Sequence, residues 1–196
     1  MTLPTKLTLL RIALTFGIMA LLFLPGAVAK AAALAGFLLA SATDWADGYL
    51  ARRWHQQTAL GALLDPIADK VLVLGMFLAF VQLGLIPAWM VLVIALREFV
   101  ITGVRLVASS RHVVLSAAKE GKHKTVSQMA AILVILLVLF VQAGWGARLA
   151  PGTLTAMQGL MLAGLWIAMV LTVISGVSFF WRHRAVLKAV SKGVSE

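Results

Sequence analysis

The chain has 196 residues, of which 62% are hydrophobic, and it carries a formal net charge of +10. A soluble domain of this length could not cover so much apolar surface, so the composition excludes an ordinary soluble protein and indicates one membrane domain over residues 1–196. The sequence contains no cysteine, which excludes disulfides and thiolate metal sites.

Six apolar runs follow one another along the chain. They cover residues 9–24, 31–50, 67–86, 88–108, 126–143 and 154–180. Each is close to the ~20 residues that a helix needs to cross the hydrocarbon of a bilayer. The runs therefore predict an all-α, polytopic membrane protein with six transmembrane helices. Residues 2–8 and the basic tail after Trp181 are predicted to form short interfacial helices at the two termini.

The basic residues are distributed unevenly between the two sides of this predicted bundle. Six crossings place both termini on one side, and most of the 17 Lys and Arg fall on that side. They are Lys6, Arg11, Arg52, Arg53, Arg105, Arg111, Lys119, Lys122, Lys124, Arg182, Arg184, Lys188 and Lys192. The other side holds only Lys30 and Arg148, while Lys70 and Arg97 fall inside or beside the runs. This bias predicts cytoplasmic termini and explains the charge by topology and anionic lipid, without nucleic acid as a partner.

All four aspartates of the chain lie within one short stretch. Asp44 and Asp47 are three residues apart, and Asp65 and Asp69 are four apart, so each pair shares a helix face. The short connection between the two helices makes them antiparallel neighbours, and the carboxylates can converge at the cytoplasmic boundary. Oxygen ligands without His or Cys suit hard cations. We therefore predict two divalent cations, Mg²⁺ or Mn²⁺, about 3.5–4 Å apart, which clamp a displacement at phosphorus.

Small residues accompany both pairs of aspartates. Gly48 and Ala51 continue the face of the first pair, and Gly61 continues that of the second. Their lack of bulk leaves space for a metal and a phosphate beside the carboxylates. Arg52 follows at the cytoplasmic end, where it can bind a phosphate oxygen or neutralise the aspartates.

The complete pattern resembles the signature of the CDP-alcohol phosphotransferases. It reads Asp47-Gly48-x₂-Ala51-Arg52-x₈-Gly61-x₃-Asp65-x₃-Asp69, with Asp44 three residues before it. The resemblance implies a six-span, homodimeric enzyme that transfers a phosphatidyl group from CDP-diacylglycerol to an alcohol and releases CMP. The roles that it implies are metal ligation by Asp44, Asp47, Asp65 and Asp69, general base catalysis by Asp69, and CDP binding by Gly48, Ala51, Arg52 and Gly61.

Further segments are similar to the family members that act on glycerol 3-phosphate in bacteria. They are Thr8-Leu9-Leu10-Arg11, Ser41-Ala42-Thr43-Asp44-Trp45, Leu64-Asp65-Pro66-Ile67-Ala68-Asp69-Lys70, Arg97-Glu98 and Gly121-Lys122-His123-Lys124-Thr125. The resemblance implies a bacterial inner-membrane enzyme with a cytoplasmic active site, in which Thr8 and Arg11 contribute to the acceptor site. Because glycerol 3-phosphate is a dianion, its pocket needs cations. Arg105 with Lys122 or Lys124 is the predicted phosphate clamp.

Alternatives to this reaction come from the acceptor and from a different class of protein. Inositol phosphate would also need a basic pocket, whereas serine would not. Intramembrane carboxylates also occur in divalent-cation transporters, but such a protein predicts internal repeats and acidic residues at mid-span. Arg97 and Glu98 are interpreted as internal pairs that brace the bundle. The four histidines, including His183, are interpreted as solvated.

Overall fold

The structure, a computed structural model, contains helices joined by short turns and no strand within the residues that it describes. It describes the backbone of residues 3–54, 59–110 and 120–191 and the side chains of residues 8–43, 67–109 and 124–184. The six helices are α1 (Leu3–Phe23), α2 (Ala27–Trp54), α3 (Ala59–Gln82), α4 (Ala88–Ser110), α5 (Glu120–Trp145) and α6 (Pro151–Ser191). A short 3₁₀ helix, Gly146–Arg148, precedes α6. The predicted all-α class and the number of helices are confirmed.

The composition of these helices is consistent with an integral membrane protein. The segments Lys124–Arg148 and Pro151–Arg184 are long and apolar enough to cross a membrane, and Thr8–Phe23 and Ala27–Thr43 are shorter apolar helices. Large apolar side chains also cover the outside of the described bundle, which suits lipid as the surrounding solvent. Six separate crossings remain a prediction.

The predicted interfacial helices at the termini are not separate elements in this structure. The described part of the first, residues 3–8, is the beginning of α1, and residues 182–191 continue α6 without a break. No glycine or proline interrupts either junction, and Pro4 lies in the first turn, where a missing N–H costs no helical hydrogen bond. At ~1.5 Å per residue, α6 is about 60 Å long. Its length exceeds the ~30 Å hydrocarbon thickness, so one end projects beyond it.

Glycines in the left-handed region make the two tight turns at the end opposite the aspartates. Gly26 has φ 93° between α1 and α2, and Gly84 has φ 71° after α3. At Gly84 the backbone forms a Schellman motif, in which Leu85 N–H donates to Phe80 O and Gly84 N–H donates to Val81 O, both at 2.9 Å. The short turn fixes α4 as the antiparallel successor of α3.

The core brings α1 close to both acidic helices. In the described part of the chain, α1 packs against α2 and α3, α5 packs against α2 and α6, and α4 packs against α3 and α6. Glycines permit the close approach, because a Cβ at Gly36 would lie 2.9 Å from Ile18 Cγ1 and one at Gly75 would lie 3.0 Å from Thr15 Cγ2. The face of α1 that carries Arg11 is thereby held against α3.

Candidate active site

The backbone places the predicted metal ligands on two consecutive helices. Asp44 and Asp47 lie in the last part of α2, and Asp65 and Asp69 lie in the first half of α3. Helix α3 continues through Pro66, so the spacing of four residues between Asp65 and Asp69 is one helical turn. The side chains of residues 44–66, which include Gly48, Ala51, Arg52 and Gly61, lie outside the described residues. Their convergence on a metal and on CDP stays a prediction.

Asp69 is the aspartate whose surroundings the structure describes. Its Oδ1 accepts a hydrogen bond of 2.8 Å from Nη1 of Arg11, across the contact between α1 and α3. The Arg11 side chain is 2% exposed, whereas that of Asp69 is 55% exposed. Charge-assisted contact with a buried guanidinium stabilises the ionised carboxylate and fixes its orientation. The ionised form is the one that can bind a cation or accept a proton.

The position of Arg11 itself is fixed by the packing of α1. Thr15 donates its hydroxyl hydrogen to the Arg11 carbonyl oxygen at 2.9 Å, and Thr8, three residues earlier, is fully buried. Sequence analysis assigned Thr8 and Arg11 to the acceptor site. In the structure Arg11 contacts Asp69, so its described role is to orient the predicted general base. A direct contact of either residue with the acceptor stays a prediction.

A second charged cluster connects α4 with α5 and α6. Arg97 Nη1 contacts Glu98 Oε1 at 3.3 Å, and Arg97 Nη2 donates to Ser175 Oγ at 2.5 Å. Lys124 Nζ donates to the same Glu98 oxygen. The three charged side chains are only 8–14% exposed. The interpretation of Arg97 and Glu98 as internal pairs is confirmed.

The sequence did not predict that Glu98 pairs with Lys124. Its signal was present, because Glu98 is the one glutamate inside a predicted apolar run. A buried carboxylate requires a cationic partner, but the sequence does not indicate which of the basic residues supplies it.

Of the other two predicted members of the phosphate clamp, the structure describes the side chain of Arg105 and not that of Lys122. Arg105 lies on α4, is exposed, and has no ion pair among the described residues. Lys122 lies on α5, but its side chain is outside the described residues. The clamp therefore stays a prediction. Lys124 is the member for which the structure describes an ion-pair partner.

His183 is buried, so the prediction that it is solvated is wrong. It is 8% exposed, and its Nδ1 lies 3.0 Å from the carbonyl oxygen of Phe179. Because a carbonyl only accepts hydrogen bonds, Nδ1 carries the hydrogen. Helix α6 continues past Trp181 and turns position 183 toward Phe179, which packs with Ile101 and Ala108 of α4. The other three histidines lie outside the described side chains.

The donor set of the site fits a hard divalent cation. Its predicted ligands are all carboxylates, and the one that is described is oriented by an arginine and half-exposed. Within the described side chains there is no group of three or more potential metal-ligating residues, since three of the four aspartates lie outside them. The geometry of metal binding is thus an expectation from the sequence pattern.

The fold is that of a helical membrane protein, and its four aspartates lie on two consecutive helices. The family model for CDP-alcohol phosphatidyltransferases matches residues 1–174. The chain belongs to the CDP-alcohol phosphatidyltransferase family, and it is a transferase of phospholipid biosynthesis.

Similar proteins from bacteria extend along nearly the whole chain. A protein of Bacillus subtilis named CDP-diacylglycerol–glycerol-3-phosphate 3-phosphatidyltransferase is 39% identical over 198 residues, which cover 95% of this chain and 97% of the relative. Proteins with the same name are 31% identical in Cereibacter sphaeroides, covering 95% and 97%, and 33% identical in Sodalis glossinidius, covering 94% and 96%.

Proposed function

We propose that the chain transfers the phosphatidyl group of CDP-diacylglycerol to glycerol 3-phosphate and yields phosphatidylglycerophosphate and CMP. The ion pair between Arg11 and Asp69 is the observation that carries this assignment within the molecule, because it orients the last carboxylate of the transferase signature. The name shared by the full-length bacterial relatives supports glycerol 3-phosphate as the acceptor.

In the proposed mechanism the chain's own residues bind, orient and move one proton. Asp44, Asp47, Asp65 and Asp69 would hold two divalent cations, which would supply positive charge opposite the pyrophosphate and the leaving CMP. Gly48, Ala51, Arg52 and Gly61 surround the CDP group. Asp69, oriented by Arg11, accepts the proton of the 1-hydroxyl of glycerol 3-phosphate. That oxygen forms the new bond to the diacylglycerol-bearing phosphorus, and the bond from this phosphorus to CMP breaks.

The proposed topology places both substrates at one boundary of the membrane. CDP-diacylglycerol reaches the site from the inner leaflet of the bacterial cytoplasmic membrane, with its acyl chains in lipid. Glycerol 3-phosphate arrives from the cytoplasm, where both termini and the clamp of Arg105, Lys122 and Lys124 are predicted to lie. The expected assembly is a homodimer, which mass measurement of the purified protein in detergent would test.

The experiment that tests the reaction compares acceptors on the purified protein. The protein is supplied with CDP-diacylglycerol, Mg²⁺ or Mn²⁺, and one of glycerol 3-phosphate, inositol phosphate or serine, and CMP and lipid products are measured. CMP release with glycerol 3-phosphate is expected. Product formed only with inositol phosphate or serine would refute the acceptor, and metal flux into vesicles without CMP release would refute the enzyme.

A further inference from the structure

The cluster around Glu98 crosses a gap between two helices that scarcely touch. In the described part of the chain, α4 packs against α3 and α6, whereas its backbone hardly approaches that of α5. The Lys124 ammonium nevertheless reaches the Glu98 carboxylate from α5. Two long side chains thus connect helices whose backbones make few contacts.

Two neighbouring residues of α4, Arg97 and Glu98, contact two different helices. Arg97 packs on α6, since a Cβ at Gly176 would lie 3.1 Å from Arg97 Cγ, and it bonds to Ser175. Glu98 points instead to α5. Helices α5 and α6 are joined to each other by Gln128 Nε2, which donates to Thr172 Oγ1 at 2.9 Å. The Glu98–Lys124 contact therefore adds a link from α4 to α5 beside the direct packing of α4 on α6.

The charge of the cluster leaves it able to attract an anion. One carboxylate serves both Arg97 and Lys124, so the three side chains together carry one net positive charge. An ammonium has three donors, and a single carboxylate oxygen is its described partner. Burying an excess positive charge is unfavourable unless an anion pairs with it.

The face of α4 that carries Glu98 also carries the exposed Arg105. Seven residues separate them, which is close to two full turns, so Arg105 lies ~10 Å further along the same face. That direction leads to the end of α4 near the start of α5, where Lys124 lies in the second turn. Arg105 of α4 and Lys124 of α5 thus both lie toward this end of the two helices.

We propose that Glu98 is a positioning residue that holds Lys124 of α5 toward α4, so that Lys124 and Arg105 bind the phosphate of the acceptor. This inference rests on the proposed function. Glu98 does not contact the substrate. It keeps the ammonium in place.

The test is a kinetic double-mutant cycle on the full-length protein. Glu98→Gln is expected to raise KM for glycerol 3-phosphate at least 10-fold and to change KM for CDP-diacylglycerol less than twofold. Lys124→Gln is expected to raise the same KM, and the double variant should be no worse than Lys124→Gln alone, because Glu98 acts through Lys124. Effects of the two substitutions that multiply would overturn the proposal.

Two further variants separate positioning from loss of fold. Ser175→Ala removes a hydrogen bond from the same cluster without touching Lys124, and its KM values should equal those of the unaltered protein. An equal rise of KM in Ser175→Ala would mean a general brace and would overturn the proposal. If Glu98→Gln does not fold, Glu98→Asp retains the charge on a shorter side chain and should raise KM for glycerol 3-phosphate by a smaller factor, whereas an unchanged KM would count against the role.

The same data distinguish this inference from the reaction on which it rests. Absence of CMP release with glycerol 3-phosphate in the unaltered protein would refute the proposed function. An active protein in which Lys124→Gln leaves KM for glycerol 3-phosphate unchanged would refute only the positioning role, because Lys124 would then not bind the phosphate.

Discussion

The contact between Arg11 and Asp69 predicts a loss of turnover with little loss of stability when Arg11 is replaced by Met. The substitution keeps an unbranched side chain of similar length in the buried position, so packing is largely retained. Asp69 is 55% exposed and can be solvated when its partner is lost. Methionine also removes a buried charge, whose desolvation offsets much of the attraction in the pair, so the free energy of unfolding should change by only about 1 kcal/mol.

The effect on catalysis should be larger than the effect on stability. A hydrogen bond to a charged group contributes about 1.5–3 kcal/mol. If this contribution is needed to orient Asp69 during proton transfer, kcat should fall about 10- to 150-fold. Arg11→Lys retains the charge but loses the planar donor geometry, so its kcat should lie between that of the unaltered protein and that of Arg11→Met.

Steady-state kinetics and a thermal unfolding curve in the same detergent check this prediction. A lower kcat with KM for glycerol 3-phosphate changed less than about threefold would agree with an orienting role. The sequence resemblance alone assigned Arg11 to the acceptor site, which predicts the opposite result. A 10-fold rise in that KM with kcat preserved would therefore show that the reasoning from the ion pair is wrong.

Three further predictions concern the base, the metals and the packing of α1. Asp69→Asn should reduce CMP release at least 1000-fold in a protein that still folds, because the amide oxygen can still accept a hydrogen bond from the buried Arg11, and near-normal release would exclude Asp69 as the base. Removal of divalent cations with a chelator should abolish activity, and added Mg²⁺ or Mn²⁺ should restore it; full activity after chelation would exclude the metals. Gly75→Val should destabilise the protein by about 1–3 kcal/mol, because its side chain would meet Thr15, whereas Gly103→Val, with open space around it, is the matched control. Equal unfolding temperatures for both variants would contradict the close packing of α1 on α3.

The sequence predicted the helices well because their signal is local. Apolar runs of span length, with Gly26 and Gly84 at turns, were sufficient to predict the six helices that the structure contains. The predicted interfacial helices failed for a related reason. A change from apolar to basic composition at Trp181 was interpreted as the end of an element, but composition alone does not interrupt the hydrogen bonds of a helix, and α6 continues to Ser191.

The side-chain partners were harder to predict because they join distant parts of the chain. Asp69 was identified by the spacing of its signature, but its pairing with Arg11 spans 58 positions. The contact between Glu98 and Lys124 spans 26 positions, and several basic residues near the predicted cytoplasmic boundary were equally eligible by sequence. His183 was predicted to be solvated because it is a polar residue near a terminus. It is buried because helix α6 continues and turns it toward Phe179.

The location of the buried charges explains how a membrane protein of this size can hold so polar a site. The buried ionisable side chains of the described residues are Arg11, Lys124 and His183, and all three lie toward the end of the bundle where α2 ends and α3 begins. The opposite half of the described core is packed with apolar side chains such as Leu22, Phe80 and Met90. Charges are tolerated near one boundary because water, headgroups and paired side chains can solvate them there. The proposed reaction joins a lipid-linked pyrophosphate to a water-soluble phosphate, and the two can meet only at such a boundary, so we expect the same asymmetry to serve both the stability of the bundle and the access of both substrates.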